Sequence, residues 1–385
     1  MVKSLNNKIV ADTPRNIQRS TKLNTLPQIK FQQINDDKIA SAIKISRNGY
    51  LYHRDSDTVD KNTILNRNCT HIDAVYTWVN GSDPHFIKKR SEAGFDVHSD
   101  LERYRDLGTL KYSLRGIELF APWIKNIWIL TDSQIPDYIN LDIPSKIKFI
   151  YHESFFANRS HLPTFSSVSI ESNFYNLPEE VSNCFLYFND DVLLKEPVEP
   201  SDFFDDEYNQ VLFEVNDPVG MYMYKHFNEL DAYHKSLVLS SQLLDSIWKD
   251  YGKNRMKSDH GVQVFDRKVL LRMHQEIGDQ LCMASSHKKR DNHDPQLAFI
   301  YNQYVKRYAQ QYRAKTGFNF YGGLVEGLAH TKQMFSDALS HPTAKVMCLN
   351  DGLNNHHTEY TQVLEQVKSI LDAQYPISPP WETQS

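Results

Sequence analysis

Apolar residues in this chain are spaced in two ways. Short unbroken apolar runs recur, and between them apolar residues return every three or four positions. The first pattern suits strands covered on both faces, the second amphipathic helices. The run His71 to Val79 is rich in β-branched and aromatic residues and stops at the turn Asn80-Gly81-Ser82-Asp83-Pro84. Ile127 to Thr131 ends at Asp132, and Ile147 to Tyr151 ends at His152-Glu153. Cys184 to Asn189 runs straight into Asp190-Asp191. Val211-Leu212-Phe213 is a shorter run, and Lys345 to Leu349 ends in Asn350-Asp351-Gly352. Helical spacing joins Leu110, Leu114, Ile117 and Phe120 or Ala121, closing at Pro122. It returns over Leu237 to Trp248, beyond Arg267, and after Pro295 through Leu297, Ile300, Tyr301 and Tyr304. A final helix carries Val363, Val367, Ile370 and Leu371.

Strands separated by helices predict an α/β fold with a mainly parallel sheet and helices on both faces. Three parts are expected. Residues 1–68 are polar without a sustained period and read as a disordered or loosely attached arm, on which Leu51-Tyr52 and Ile64-Leu65 are the only docking candidates. Residues 69–335 form the core, and 336–385 a C-terminal portion whose tail, Tyr375 to Trp381, packs against it.

Composition narrows the function. The chain has 385 residues and a formal charge of −5, without the basic excess of a nucleic-acid binder. No apolar run is long enough to cross a bilayer, and Met1 to Asn16 lacks the apolar stretch of a signal peptide. The cysteines are Cys69, Cys184, Cys282 and Cys348, with no CxxC pair, so a zinc site is not expected. Cys184 and Cys348 read as inert core thiols. The sequons at Asn68, Asn80 and Asn158 lean toward a secretory lumen, with cytosol the alternative.

Candidate chemistry gathers at strand ends. Ligands of α/β sheets bind outside the carboxyl ends of the strands. Two adjacent acids there, Asp190 and Asp191, suit a divalent metal carrying phosphate, Mg²⁺ or Mn²⁺, because hard cations take oxygen ligands. Their bland alternative is a solvated turn. Gly81 allows close approach of backbone to a ligand, and Trp78 is either a stacking surface for a base or a core residue. Arg115 sits off its helix's apolar stripe, aimed at phosphate or at solvent. Glu171, just inside a helix, is a candidate ligand or base. His260 and Arg290 fall in polar loops, each read as opening a helix, where an anion is favoured.

The stretches Ile72 to Asp83, Leu110 to Arg115, Ala121-Pro122-Trp123, Gln134-Ile135-Pro136, His161 to Ser172 and Asn189 to Val192 resemble the first two conserved regions of the Stealth family. His260 to Arg267, His287 to Arg290 and Gln296 to Phe299 are similar to the third, and Cys348 to Asp351 with Tyr375-Pro376-Ile377 to the fourth. The family comprises hexose-1-phosphate transferases, among them bacterial capsule polymerases and the animal enzyme that makes the mannose-6-phosphate tag. The resemblance implies a GT-A-like core, a UDP-sugar donor, a glycan or glycoprotein acceptor and a divalent metal. It places site residues at Asp73, Glu171, Asp191, His260, Arg290 and Asp351. Arg105, Lys111 and Asp132 depart from the pattern of the animal members, and the long insertions those members carry between the acidic pair and the histidine are absent.

The expected reaction is attack by an acceptor hydroxyl on the sugar-proximal phosphorus of a UDP-sugar, foremost UDP-N-acetylglucosamine, with release of UMP. Asp190, Asp191 and Asp351 are assigned to the metal. Trp78, Asn80, Gly81, Arg103 and Arg115 are assigned to the nucleotide-sugar. Asp73, Glu171, His260 and Arg290 are assigned to catalysis, with His260 ahead of Glu171 as base. A homodimer is compatible with these features. Rivals are a capsule-type polymerase, a glycosyltransferase that moves only the sugar, and an inactive glycan-binding protein.

Overall fold

The computed structural model describes residues 43–47, 50–54, 69, 71–204, 210–308, 312–325, 327–354 and 356–383. Most of the polar arm, including Ile64-Leu65, lies outside them. Within the arm, β1 (Ile43–Arg47) and β2 (Tyr50–Arg54) pair antiparallel as a hairpin. The reading of the arm as mostly disordered or loosely attached did not single out this paired element. The signal was Asn48-Gly49 between two alternating runs, the strongest short-range hairpin pattern.

The central sheet has five strands in the order β10-β6-β3-β4-β5. Here β3 is Ile72–Thr77, β4 Ile127–Thr131, β5 Ile147–Tyr151, β6 Cys184–Asn189 and β10 Gln263–Asp266. Neighbours β6, β3, β4 and β5 run parallel, and β10 closes the other edge antiparallel to β6. Every residue of β3 and β4 is buried, as an interior strand covered on both faces requires.

Alternation along the strands feeds two separate cores. Val75, Trp128, Leu130, Phe185 and Tyr187 point to one face, where they meet α6 (Ala232–Trp248), α7 (Arg267–Ser286) and α8 (Leu297–Tyr308). Ala74, Tyr76, Ile127, Ile129, Leu186 and Phe188 point to the other, against Leu110, Leu114 and Ile117 of α2 (Thr109–Phe120). Shorter helices punctuate the crossovers: α1 (Pro84–Glu92) after β3, α3 (His152–Phe155) after β5, α4 (Ser167–Glu171) before β6, and α5 (Met221–Lys225) before α6.

Two small sheets flank the central one. In the first, β8 (Val211–Val219) lies between β11 (Arg313–Lys315) and β9 (Arg255–Ser258). In the second, β13 (Val346–Asp351) lies between β12 (Asn319–Leu324) and β7 (Val192–Leu194). Helices α9 (Leu328–Ser340) and α10 (Tyr360–Gln374) pack on that second sheet through Met334, Phe335, Val363 and Val367. Residues 336–385 are therefore built into the same unit as the core. The stretch Val262 to Phe265 does lead into a helix, α7 at Arg267, but the reading of the His260 loop as itself opening that helix is corrected. Those residues enter β10, and His260 sits in the turn between β9 and β10.

Cys69 and Cys184 form a disulfide with a Cα–Cα distance of 5.5 Å, so Cys184 is not an inert thiol. It ties the segment before β3 to the amino end of its neighbour β6, where Ile72 and Cys184 are register partners. Spacing could not announce this pair, since the cysteines are 115 residues apart and only parallel pairing of β3 and β6 brings them together.

Arg115 faces neither solvent nor phosphate. Its guanidinium donates to Glu382 at 2.6 and 2.7 Å, to the Tyr375 carbonyl at 2.7 Å and to Ser378 at 2.8 Å. Both partners of the ion pair are almost fully buried, at 8% and 7% side-chain exposure. Tyr375 and Trp381 bury their rings, as expected of a packed tail. Removing one member of a buried, hydrogen-bonded pair leaves the other charge uncompensated, which costs about 3–5 kcal/mol. Glu382→Ala is therefore expected to lower unfolding stability by roughly 3–5 kcal/mol, measured by denaturant titration. A loss below about 1 kcal/mol would return Arg115 to the surface class.

Candidate active site

Three parallel or near-parallel strand ends open on one cleft. Thr77 at the end of β3 pairs with Asn189 at the end of β6, and Asp190 and Asp191 form the turn that leads into β7. Asp191 accepts a backbone hydrogen bond from Leu349 of β13 at 2.9 Å, so β13 delivers Asp351 to the same place. The acids therefore share one face, as the strand pattern required.

Four carboxylates meet here. Burial, followed by the charges of Asp191, Asp106 and Asp351, drives the Asp190 carboxyl well above its usual range. Burial also raises Asp191, against an opposing hydrogen bond from Cys348. That thiol donates to Asp191 Oδ2 at 3.6 Å, while Asp191 Oδ1 is buried with no hydrogen-bond partner. Cys348 is thus a site residue and not inert filler. Asp106, just ahead of α2, accepts from Trp78 Nε1 at 3.1 Å and from the Gly108 amide at 2.7 Å.

Asp351 is already answered. Arg105 grips it with two parallel bonds, Nε to Oδ2 at 2.7 Å and Nη2 to Oδ1 at 2.8 Å, and the Leu353 amide adds a third. Both side chains are largely buried. The departure noted at Arg105 therefore has a local role: it supplies the cation that Asp351 faces.

Across the cleft stands the opposite charge. Arg290, in the loop between α7 and α8, donates to Ser167 at 2.8 Å. Its other neighbours are Arg103, Glu171, Tyr104 and Tyr187. Burial and the charge of Arg103 together press its proton affinity down. Two guanidinium groups held together beside one carboxyl make a site for an anion. Glu171 ends α4, accepts from Tyr187 Oη at 3.1 Å, and has its pKa pushed up to about 7, chiefly by burial. Arg290 is exposed and Glu171 half-buried, while Tyr104 and Tyr187 are buried beneath them.

His260 is exposed, with its ring between those of Tyr233 and Tyr321 at 5.3 and 5.1 Å. Burial of its surroundings, then repulsion from His234, lowers its pKa. Its ring makes no hydrogen bond among the described residues.

Other expected site residues lie elsewhere. Asp73 is the second residue of β3, at the end remote from Thr77, and is fully buried. It accepts four hydrogen bonds, from the Asn126 amide and side chain, Trp128 Nε1 and the Ser182 amide. It joins strands at the amino end and takes no part in the cleft. Trp78 is a core residue. Asn80 is bound through its backbone to the Gln134 amide group at 3.0 and 2.9 Å. Gly81 does mark a close approach, but to the protein itself: its amide donates to the Tyr104 carbonyl at 2.7 Å, and a Cβ there would lie 2.3 Å from that oxygen. The turn 80–81 braces the segment that carries Arg103, Arg105 and Asp106.

With this geometry in hand, three family models match: Stealth protein conserved region 1 over residues 70–96, region 2 over 103–212 and region 3 over 259–307. The capsular polysaccharide phosphotransferase eps5J of Streptococcus thermophilus is 33% identical over 208 residues, covering 49% of this chain and 85% of that protein. The chain belongs to the Stealth family. The exopolysaccharide phosphotransferase CpsY of Mycobacterium tuberculosis is 29% identical over 323 residues, 81% of this Stealth protein and 58% of the relative. An exopolysaccharide phosphotransferase of Streptomyces coelicolor is 42% identical over 137 residues, 34% of the chain and 22% of the relative. This Stealth protein thus spans well under two thirds of the length of these two relatives. Among solved structures, a galactosyltransferase, LgtC, in complex with donor and acceptor sugar analogs aligns over 80% of this chain and 98% of its own, at 12% identity and a TM-score of 0.38.

The raised Glu171 pKa has a consequence for stability. The folded state holds that proton more tightly than the unfolded chain, so the Glu171 contribution is full below about pH 4.5 and declines as pH rises through about 7. Glu171→Gln removes the titration. Its melting temperature, relative to the parent, is expected to rise between pH 5 and 8 and then level. A parent-to-variant difference that is flat over this window would show Glu171 ionised throughout.

Proposed function

We propose that this protein transfers a sugar 1-phosphate from a UDP-sugar to a hydroxyl of an acceptor glycan, with release of UMP, in polysaccharide or glycan synthesis. N-acetylglucosamine 1-phosphate is the first candidate for the transferred group. The observation that carries the reading is the division of charge across one cleft. Asp190 and Asp191 crowd negative charge at the strand ends, and Arg290, which has Arg103 as a neighbour, is near enough to act on the Asp191 carboxyl. A diphosphate bridged to a cation matches both sides at once. The names of the relatives, polysaccharide phosphotransferases, support the same class of reaction.

In this reading the acceptor oxygen attacks the sugar-proximal phosphorus, and the bond from that phosphorus to the bridging oxygen of UMP breaks. The sugar keeps its own C1–O bond. Phosphoryl transfer of this kind depends mainly on positioning and charge neutralisation. Arg290 offers a planar fork to the non-bridging oxygens, and its bond to Ser167 fixes the plane. Arg103 adds a second positive charge. His260, neutral at pH 7 because its pKa is lowered, has a ring nitrogen available to take the acceptor proton. Glu171 orients Tyr187 and offsets the charge of Arg290.

A divalent cation fits part of the assigned ligand set. Asp190 and Asp191 crowd negative charge, and Asp191 Oδ1 lacks any partner. Mg²⁺ is commonly held by one or two carboxylates together with substrate phosphates. Asp351 does not fit as a ligand, since Arg105 and the Leu353 amide occupy its oxygens. No group of three or more His, Cys, Asp or Glu is arranged to hold a metal among the described residues. Bound there, a divalent ion would neutralise charge on the phosphoryl oxygens. An oxidising compartment, such as a secretory lumen, is supported by the Cys69–Cys184 disulfide.

Mass spectrometry after incubation with a panel of UDP-sugars and glycosides is expected to find UMP and a sugar phosphodiester, lost in excess chelator and restored by Mg²⁺ or Mn²⁺. UDP as the nucleotide product would make the protein a glycosyltransferase that moves only the sugar. Full turnover in chelator would remove the metal.

Two substitutions separate the roles. Arg290→Lys keeps charge and loses the fork, so kcat should fall by more than KM rises. His260→Ala should lose on the order of 10²–10⁴ in single-turnover rate while UDP-sugar affinity holds. Parental turnover in His260→Ala would pass the base role to Glu171, and loss of donor affinity would make His260 a phosphate ligand.

A further inference from the structure

The function proposed above leaves the acceptor without a binding surface. We propose that Tyr321, with Tyr233 and the flank of His260, forms a platform on which a pyranose ring of the acceptor stacks, its hydroxyl turned toward His260. The inference rests on the proposed transfer reaction and adds the place and chemistry of its second substrate.

The platform is built and not incidental. Tyr321 is the third residue of β12, the edge strand of its sheet, and is 49% exposed. An aromatic ring left that open beside a cleft presents an apolar face with a polar edge, the chemistry that suits a sugar ring better than water does. His260 lies beside it at 5.1 Å and Tyr233 closes the far side of the histidine at 5.3 Å. The three rings make a continuous wall around the candidate base.

Asn319 holds the wall together. Residues 319 and 321 point to the same face of β12. Asn319 Nδ2 donates to Asp259 at 3.2 Å, and its Oδ1 accepts from the Val262 amide at 3.3 Å, so one side chain pins both ends of the turn that carries His260. Gly261, at φ +155°, lets that turn press down: a Cβ there would sit 2.3 Å from Asn319 Cγ. The turn and the strand are therefore fixed to each other, and the rings of His260 and Tyr321 with them.

The same strand leads to the phosphate side. Tyr321 is the register partner of Cys348 on β13, and Cys348 donates to Asp191. One strand spacing separates Tyr321 from Cys348, and the thiol's 3.6 Å contact spans the rest of the way to Asp191, so a sugar stacked on the ring lies beside the acid pair.

Stacking of the uracil base is the competing use of such rings. Topology argues against it. The sheet order reverses at β3, where the chain leaves for β4 and β5 and returns to β6, and the nucleotide crevice of such a sheet lies at that reversal. The platform stands on the other side of the acid pair, against β10 and β12.

The test uses the full chain and the variants Tyr321→Ala and Tyr321→Phe. Saturation-transfer NMR with methyl α-glucoside, methyl α-galactoside and methyl α-mannoside, in the presence of UMP, reads acceptor binding without turnover. UMP titration reads the donor side. At least one glycoside is expected to receive saturation from the parent protein and to bind about 3- to 10-fold more weakly to Tyr321→Ala, the range of one ring-stacking contact. Tyr321→Phe is expected to retain binding, and UMP affinity to stay within about twofold in both. In turnover assays the acceptor KM should rise with Tyr321→Ala while the donor KM stays put. Glycoside binding that ignores the Ala variant, or no transfer to any of the three glycosides, overturns the platform. A fall in UMP affinity instead assigns the rings to uracil and overturns it equally. Because the NMR arm needs no catalysis, failure of the transfer reaction itself would appear separately, as absence of UMP release with every UDP-sugar.

Discussion

The mutual repulsion of carboxylates at the carboxyl end of the central sheet governs the rest of the site. Asp106, Asp190, Asp191 and Asp351 converge where burial already disfavours charge. Such a cluster persists only if cations or donors meet it. The fold answers each acid differently. Arg105 takes Asp351 with a two-pronged grip, and Trp78 and the Gly108 amide satisfy Asp106. A thiol serves one oxygen of Asp191 and leaves the other bare. Asp190 keeps the strongest upward pressure on its proton affinity of any acid there. Charge is thus neutralised at the margins of the cluster and left uncompensated at its centre, where a cation carrying phosphate would be bound.

Much of the surrounding architecture can be understood as bracing for that centre. Gly81 brings the β3 turn onto the Tyr104 carbonyl, which fixes the segment bearing Arg103, Arg105 and Asp106. Tyr104 in turn donates to the Phe165 carbonyl, and the Phe165 amide donates to Lys288, so the loops that carry Glu171 and Arg290 are tied to the same segment. Ser169 donates to the Ser285 carbonyl at 2.7 Å, holding α4 against the end of α7. The basic wall is therefore a network of three loops, not a single flexible side chain. Such a network keeps two guanidinium groups close together despite their repulsion, and an anion between them relieves it.

The two substrates would meet from opposite sides of the acid pair. The nucleotide side belongs to the parallel strands β3, β4 and β6, and the acceptor side to the turn before β10 and to β12. That division gives each part of the chain a task. In the proposed reaction the parallel core and its crossovers would bind the phosphate-bearing donor, and the added sheet of β7, β12 and β13 supplies Asp351 and the ring of Tyr321 beside His260. The segment between Asp191 and His260 builds β8, α5, α6 and β9 and brings Tyr233 to the histidine.

Read alone, the sequence located the strands of the parallel core and the main helices, the α/β class and the acids at strand ends, because burial on both faces writes unbroken apolar runs and ligands collect where strands stop. It also pointed to His260, Arg290, Glu171 and the acidic pair, and the family resemblance carried most of that. It could not say which polar residues face the cleft. Asp73 and Arg115 carry the same functional groups as Asp191 and Arg290, but one caps neighbouring strands at their amino ends and the other anchors the C-terminal tail. Arg105 and Asp351 are 246 positions apart, and only the pairing of β13 with β7 and β12 places one against the other. The disulfide of Cys69 and Cys184 has the same origin, as does the turn from Cys348 as filler to Cys348 as donor. Local sequence sets which segment folds into which element. Which charge meets which is decided by strand order and register, and those are properties of the whole chain.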